Sequence, residues 1–202
     1  GRLRSRVYKR TGMAEPGEVL ATAATIEPGD LEGWFRAWTD LGARCDAIAS
    51  RAAAGHHDHS AADAYLRAAN YRFAGFYYVL GSADPGRHLS AWRAHRTSLR
   101  HALSHWDQPA EPLSVPWGGT EMPAWLVRAA EGAGGGDRPL MIIHNGMGSP
   151  LSDTVMTGLS NTFAAQNKPP ATVFTLAVPD EIAGPATMPA GQLAVPEPTT
   201  VL

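Results

Sequence analysis

HALSHWDQPAEPLSVPWGGTEMPAWLVR, residues 101–128, changes its hydrophobic period part-way through. Up to Trp106 the apolar residues recur at helical spacing, and Pro109 ends that pattern. Glu111 to Trp117 then alternates as a strand does, Gly118-Gly119 suits a tight turn, and Met122 to Arg128 reads as the antiparallel partner. Pro116 and Pro123 suggest an edge position, because proline has no N–H to donate to a ladder. Such a switch from helical to alternating period marks a boundary between packed helices and a sheet.

Toward the C-terminus, Leu140-Met141-Ile142-Ile143 is a short apolar run suited to a strand covered on both faces. A glycine-containing loop follows from Asn145 to Pro150, and Ser152 to Gln166 is compatible with a helix that Gly158 and several β-branched residues weaken. Thr172 to Val178 predicts one more parallel strand. The order strand, strand, strand, loop, helix is the opening of an α/β domain. Beyond Lys168 the composition shifts: 7 of the 16 prolines fall between Pro169 and Pro198, and the only charged side chains there are Asp180, Glu181 and Glu197. A stretch so poor in core-forming residues is expected to be an irregular tail.

Toward the N-terminus three helices are predicted. Leu31, Trp34, Trp38, Leu41, Cys45, Ile48 and Ala52 recur in steps of three and four, with Asp30 as cap and Gly55 as the left-handed closing residue. The second opens on a capping box of Ser60 and Asp63 and carries Tyr65, Ala69, Phe73, Phe76 and Leu80 to Gly81. The third starts at Asp84-Pro85 and presents Leu89, Trp92, Leu99, Leu103 and Trp106, interrupted by Arg96. Short loops make the three antiparallel neighbours. The chain therefore divides into an arm (1–29), a helical domain (30–108), a partial α/β core (109–178) and a proline-rich tail (179–202). Arg2, Arg4, Arg6, Lys9 and Arg10 make the arm basic.

At 202 residues and 44% hydrophobic, the chain can bury one good core or two small ones. A net charge of -2 supplies no field that would gather nucleic acid or an anionic membrane. With Cys45 as the single cysteine, neither an internal disulfide nor a thiolate metal cluster can form, and a reducing, cytoplasmic setting is expected. No apolar run reaches the roughly 20 residues of a membrane-spanning helix.

These segments together resemble the α/β-hydrolases related to the fermentation-respiration switch protein and 2,6-dihydropseudooxynicotine hydrolase. The resemblance runs from about Pro28 to Ala165. It rests on Gly33-Trp34 and Trp38, the Ala64-Tyr65-Leu66-Arg67-Ala68 run with Tyr71, the Trp92 helix, Ala124-Trp125-Leu126, and the strand and turn from Pro139 to Gly146. It implies an α/β fold in which a helical domain lies over the active site of a serine hydrolase acting on ester, amide or related acyl bonds, without metal or organic cofactor. It also implies that Gly146 and Met147, in His144-Asn145-Gly146-Met147, form the loop that donates a backbone N–H to the oxyanion. His144, Asn145, Trp34 and Trp38 are the accompanying pocket candidates. The implied partner is a small-molecule acyl substrate, and a homodimer is compatible with the broad aromatic stripes.

The departures define the limits of the resemblance. The nucleophile of this fold sits in Gly-x-Ser-x-Gly, followed by an acid and a histidine. No such pentapeptide occurs: Thr162 stands where Gly158-Leu159-Ser160 would require a second glycine, and no histidine follows His144. The triad is therefore absent from this chain, which is expected to be inactive alone. The change near Lys168 favours a gene fragment or frameshifted product over a short protein that kept its helices as an interaction module.

Other clusters have plainer readings. His56-His57-Asp58-His59 has donors enough for a metal but reads as a solvated loop, and His101 with His105 stands one helical turn apart without the glutamate of an HExxH site. Ser149 and Ser152 are helix-start caps, with Asp153 beside them, rather than activated nucleophiles. Trp34, Trp38, Trp92 and Trp106 are core residues first.

Overall fold

The computed structural model of the chain describes residues 13–106, 110–117, 120–127, 140–144 and 172–176. Its helices are α1 (Pro16–Ala23), α2 (Leu31–Ala54), α3 (Asp58–Phe76) and α4 (His88–Ser104), with 3-10 turns at Val79–Gly81 and Pro85–Arg87. The strands are β1 (Ala110–Trp117), β2 (Thr120–Val127), β3 (Leu140–His144) and β4 (Thr172–Leu176), in the order β1-β2-β4-β3.

The start of α2 is the one predicted, with Asp30 accepting from the Gly33 N–H at 2.7 Å. Its end differs. Gly55 has φ −88°, and the left-handed conformation falls one residue later on His56, φ 57°. The His57 N–H reaches Ala52 O at 2.9 Å and the His56 N–H reaches Ala53 O at 3.0 Å, which is a Schellman closure with a non-glycine residue in the turn. The second helix begins two residues ahead of Ser60, at Asp58, so no Ser60 capping box forms; Asp63 instead pairs with Arg67 at 3.3 Å. Asp84 accepts from Gly86 N–H at 3.1 Å, capping the 3-10 turn that leads into α4.

Helix α3 lies between α2 and α4 and is buried along most of its length. Alanines at 61, 62, 64, 68 and 69, each 1% exposed or less, let its neighbours approach closely. At Gly42 of α2 a Cβ would sit 2.8 Å from Arg72 Cγ and 3.3 Å from the Ala68 carbonyl, so glycine is needed for that approach. The stripe of α2 runs through Ala49 rather than the expected Ile48, which is 42% exposed: four steps from Cys45 stays on the face and three does not. Leu80 and Leu89, also expected on apolar faces, are 52% and 41% exposed.

The segment expected as an arm carries structure of its own. Met13 and Ala14 are buried, the Asn70 amide donates to Met13 O at 3.0 Å, and α1 brings Glu18 to Arg67 and to the Tyr71 hydroxyl at 2.6 Å. These pairings span more than 45 residues of sequence, beyond the reach of a periodicity reading.

In the sheet, β1 and β2 pair antiparallel through all eight residues, from Ala110↔Val127 to Trp117↔Thr120. Gly118-Gly119 between them lies outside the described residues. β4 pairs parallel with β3, as expected of the strand read from Thr172, and also antiparallel with β2, which was not expected. The edge expected from proline holds for β1 but not for β2, which has β4 on its other side. Pro123 fits there because the β2–β4 ladder begins one residue later, at Ala124↔Leu176. Trp125 of β2, 5% exposed, packs with Met13, Leu66, Leu99 and Leu103 and so joins sheet and helices in one core.

Candidate functional site

In sheets with parallel strands, ligands bind outside the carboxyl ends of the strands, where the following loops gather. β3 and β4 end in register, His144 opposite Leu176, so both connections leave from one edge. His144 is thus the last strand residue at the edge where the resemblance requires an oxyanion loop. Asn145, Gly146 and Met147 come next in the chain and lie outside the described residues, as do Ser149, Ser152, Asp153, Ser160 and the segment 179–202.

Trp34 and Trp38 are held in the helical packing. Trp38 is 5% exposed, its ring 5.5 Å from Trp34 and 5.9 Å from Tyr71, and it shares a cluster with Leu41 and Cys45. The Trp34 indole N–H donates to Ala74 O at 2.6 Å, binding α2 to α3. Trp92 closes a third cluster with Phe73, Phe76 and Val79. An open groove of about 370 Å³ between α1 and α2 is lined by Ala21, Thr22, Thr25, Ala37, Asp40 and Arg44. None of the expected site residues is among them.

The histidine-rich segments serve the helix ends. His105 Nδ1 lies 2.8 Å from Asp58 Oδ1, tying the end of α4 to the start of α3, while the Tyr65 ring meets His101 edge-on at 5.0 Å. Among the described residues no group of three or more His, Cys, Asp or Glu side chains is placed to hold a metal ion. No helix among them is long and apolar enough to cross a membrane.

Two part-buried polar networks went unread in the sequence. Asp46 accepts from Arg72 Nε and Nη2 at 3.0 and 2.6 Å and from the Ser98 hydroxyl at 2.9 Å, so one carboxylate links α2, α3 and α4. Around Glu18, burial and the bond to that carboxylate raise the Tyr71 pKa. Burial, reinforced by the nearby Glu18 charge, also pushes the Cys45 thiol up to about 11. The only sequence signal for either network was a set of charged residues on otherwise apolar helix faces.

Comparison with known proteins places these elements. Over 104 residues the chain is 35% identical to 20-hydroxy-prefusarin hydrolase of Gibberella moniliformis, covering 52% of this chain and 25% of that protein. Over 138 residues it is 29% identical to an α/β-hydrolase of Penicillium citrinum, covering 67% and 32%. The solved structure of 2,6-dihydroxy-pseudo-oxynicotine hydrolase superposes with a TM-score of 0.63 at 19% identity, over 84% of this chain and 44% of that one. These relatives and this structural neighbour support an α/β-hydrolase family for the chain. Its architecture is accordingly the helical domain followed by the first strands of an α/β-hydrolase sheet, and it spans about a quarter to a third of the length of these curated relatives. No protein-family model matches it.

Proposed function

We propose that this chain is the helical domain and leading sheet segment of a serine hydrolase acting on an ester, amide or related acyl bond of a small molecule, in a cytoplasmic setting. The observation that carries the reading is the parallel β3–β4 pair ending in register at His144 and Leu176, beside a helical unit docked through Trp125, in a chain of α/β-hydrolase lineage. In this reading Gly146 and Met147 turn away from the β3 end and offer a backbone N–H to the oxygen that becomes negative during acyl transfer. His144 and Asn145 line the same edge. The nucleophile, acid and base belong to sequence that these 202 residues do not include. The helical domain covers the site and shapes the acyl pocket.

The purified chain is therefore expected to leave nitrophenyl esters at their buffer hydrolysis rate and to take up no fluorophosphonate probe. Stoichiometric labelling of one of its serines would overturn the assignment of the nucleophile to missing sequence.

A second reading, a non-catalytic helical interaction module, draws on one observation: Tyr77, Tyr78, Leu80 and Leu89 are 41–52% exposed within a short stretch of the chain. Size-exclusion chromatography with light scattering separates the two. A strictly monomeric chain counts against the module, and a homodimer broken by Tyr78→Ser with Leu80→Ser supports it.

A further inference from the structure

Helix α4 meets α3 through a histidine. The His95 ring is 1% exposed, its Nδ1 lies 2.8 Å from the carbonyl oxygen of Ala69, and the rings of Phe73 and Phe76 stand 5.9 Å from it. A carbonyl only accepts, so Nδ1 carries the proton and Nε2 presents a bare lone pair. That Nε2 is buried without a hydrogen-bonding partner.

We propose that His95 is a protonation-released latch: as a neutral ring it closes the N-terminal half of α4 onto α3, and once charged it lets that half swing away. Protonation would place an N–H cation among aromatic rings with no acceptor to meet it. The charged groups nearby make this worse. Arg72 of α3 and Arg96 of α4 both oppose a positive ring, and Asp46, reaching the interface from α2, is already engaged by Arg72 and Ser98. Burial, with those two arginines, holds the His95 pKa down to about 4. His88, edge-on to Phe76 at 5.4 Å, belongs to the same end of the helix and is also held below its ordinary value by burial.

The two halves of α4 are anchored differently. Leu99, Ala102 and Leu103 share the core that contains Trp125, whereas Trp92 belongs to a separate cluster with Phe73, Phe76 and Val79, against which Phe35 packs. Release at His95 therefore opens the half of α4 that lies outside the Trp125 core and carries exposed Leu89, with Tyr77 and Leu80 exposed just before it in the chain. For a lid over a hydrolase pocket this is a hinge between a fixed half and a movable half.

Hydrogen–deuterium exchange of the whole chain, corrected for intrinsic rates, tests it. Between neutral pH and pH 5, protection of residues 88–96 should fall by roughly 30-fold while residues 99–104 stay protected, with 8-anilinonaphthalene-1-sulfonate binding rising in step. His95→Gln should abolish the pH dependence and His88→Gln should leave it in place. Loss of protection across all helices together, an unchanged acid response in His95→Gln, or its loss in His88→Gln would each overturn the latch. If His95→Gln does not fold, the wild-type profile decides alone: a fall confined to 88–96 supports the latch, and no fall above pH 4 refutes it.

Discussion

Replacing Trp125 by alanine tests whether helices and strands form one cooperative body. The side chain projects from β2, is 5% exposed, and packs among Met13, Leu66, Leu99 and Leu103, which come from the N-terminal segment, α3 and α4. Removing a buried tryptophan loses its transfer free energy and leaves a cavity, together about 3–5 kcal/mol. Neighbouring Ala49, Ala61, Ala64 and Ala102 are too short to fill the space, and helix-to-helix spacing is already set by close contacts such as Gly42 against Ala68. The loss should therefore fall near the upper part of that range. It should be smaller for Trp125→Phe, which keeps one ring.

Urea unfolding followed by far-ultraviolet circular dichroism gives the free energy, and near-ultraviolet signal from the remaining tryptophans gives a second probe. In the wild type the two curves should coincide, as a shared core requires. Trp125→Ala should lower the midpoint and separate the curves, because the sheet loses its hold on the helices. A loss below about 1 kcal/mol with curves still coincident would refute the role of Trp125 as the junction.

Asp46→Ala strands the Arg72 guanidinium and the Ser98 hydroxyl at the three-helix junction; with both ion-pair partners partly solvated, a cost of about 1–3 kcal/mol is expected in urea unfolding, and Arg72→Met in the same chain should return part of it. Cys45, buried with its thiol raised to about 11, should resist dithionitrobenzoate at pH 8 until the chain unfolds, so prompt stoichiometric reaction would contradict its place in the α2 core. His95 binds its proton less readily folded than unfolded, so its contribution is full above the unfolded value of 6.5 and lost as pH falls toward about 4. The total is roughly 3 kcal/mol, and acid-unfolding curves of wild type and His95→Gln that superpose would exclude it.

Where a feature depended on neighbours in sequence, it could be read there. Asp30 as a cap, the helical character of α2 and α4, and the passage from helix to strand between Ser104 and Ala110 are all local, and the structure reproduces them, although Ile48 and Leu89 leave the expected faces. Errors entered where competing local solutions are close in energy. His56 rather than Gly55 takes the left-handed turn because Gly55 N–H still bonds Arg51 and Ala52 carbonyls at 3.1 Å, extending the helix by one residue. Ser60 loses the N-cap position to His57, and the helix that starts at Asp58 has the Asp58 carboxylate 2.8 Å from His105 Nδ1 across the helix pair. α1 was invisible for a different reason: its eight residues carry little apolar pattern and are secured by Glu18 to Arg67 and Tyr71, partners about fifty residues away. Of the expected site, the strand ending at His144 is located, and the Gly146-Met147 loop lies outside the described residues.

The sheet also carries directional information that composition alone did not. Pro112 and Pro116 stand four apart in β1 and therefore face the same way, and the ladder to β2 continues through both. Their missing N–H groups must then lie on the outer edge, where they blunt that edge against any further strand. β2 and β4 each have neighbours on both sides, which leaves β3 as the described strand with an edge unblocked by proline. β3 is also the most uniformly apolar strand, Leu-Met-Ile-Ile-His, the composition of a strand meant to be interior to a parallel sheet. An apolar strand at an edge and a proline-bearing strand at the other edge give the sheet a growing side and a finished side.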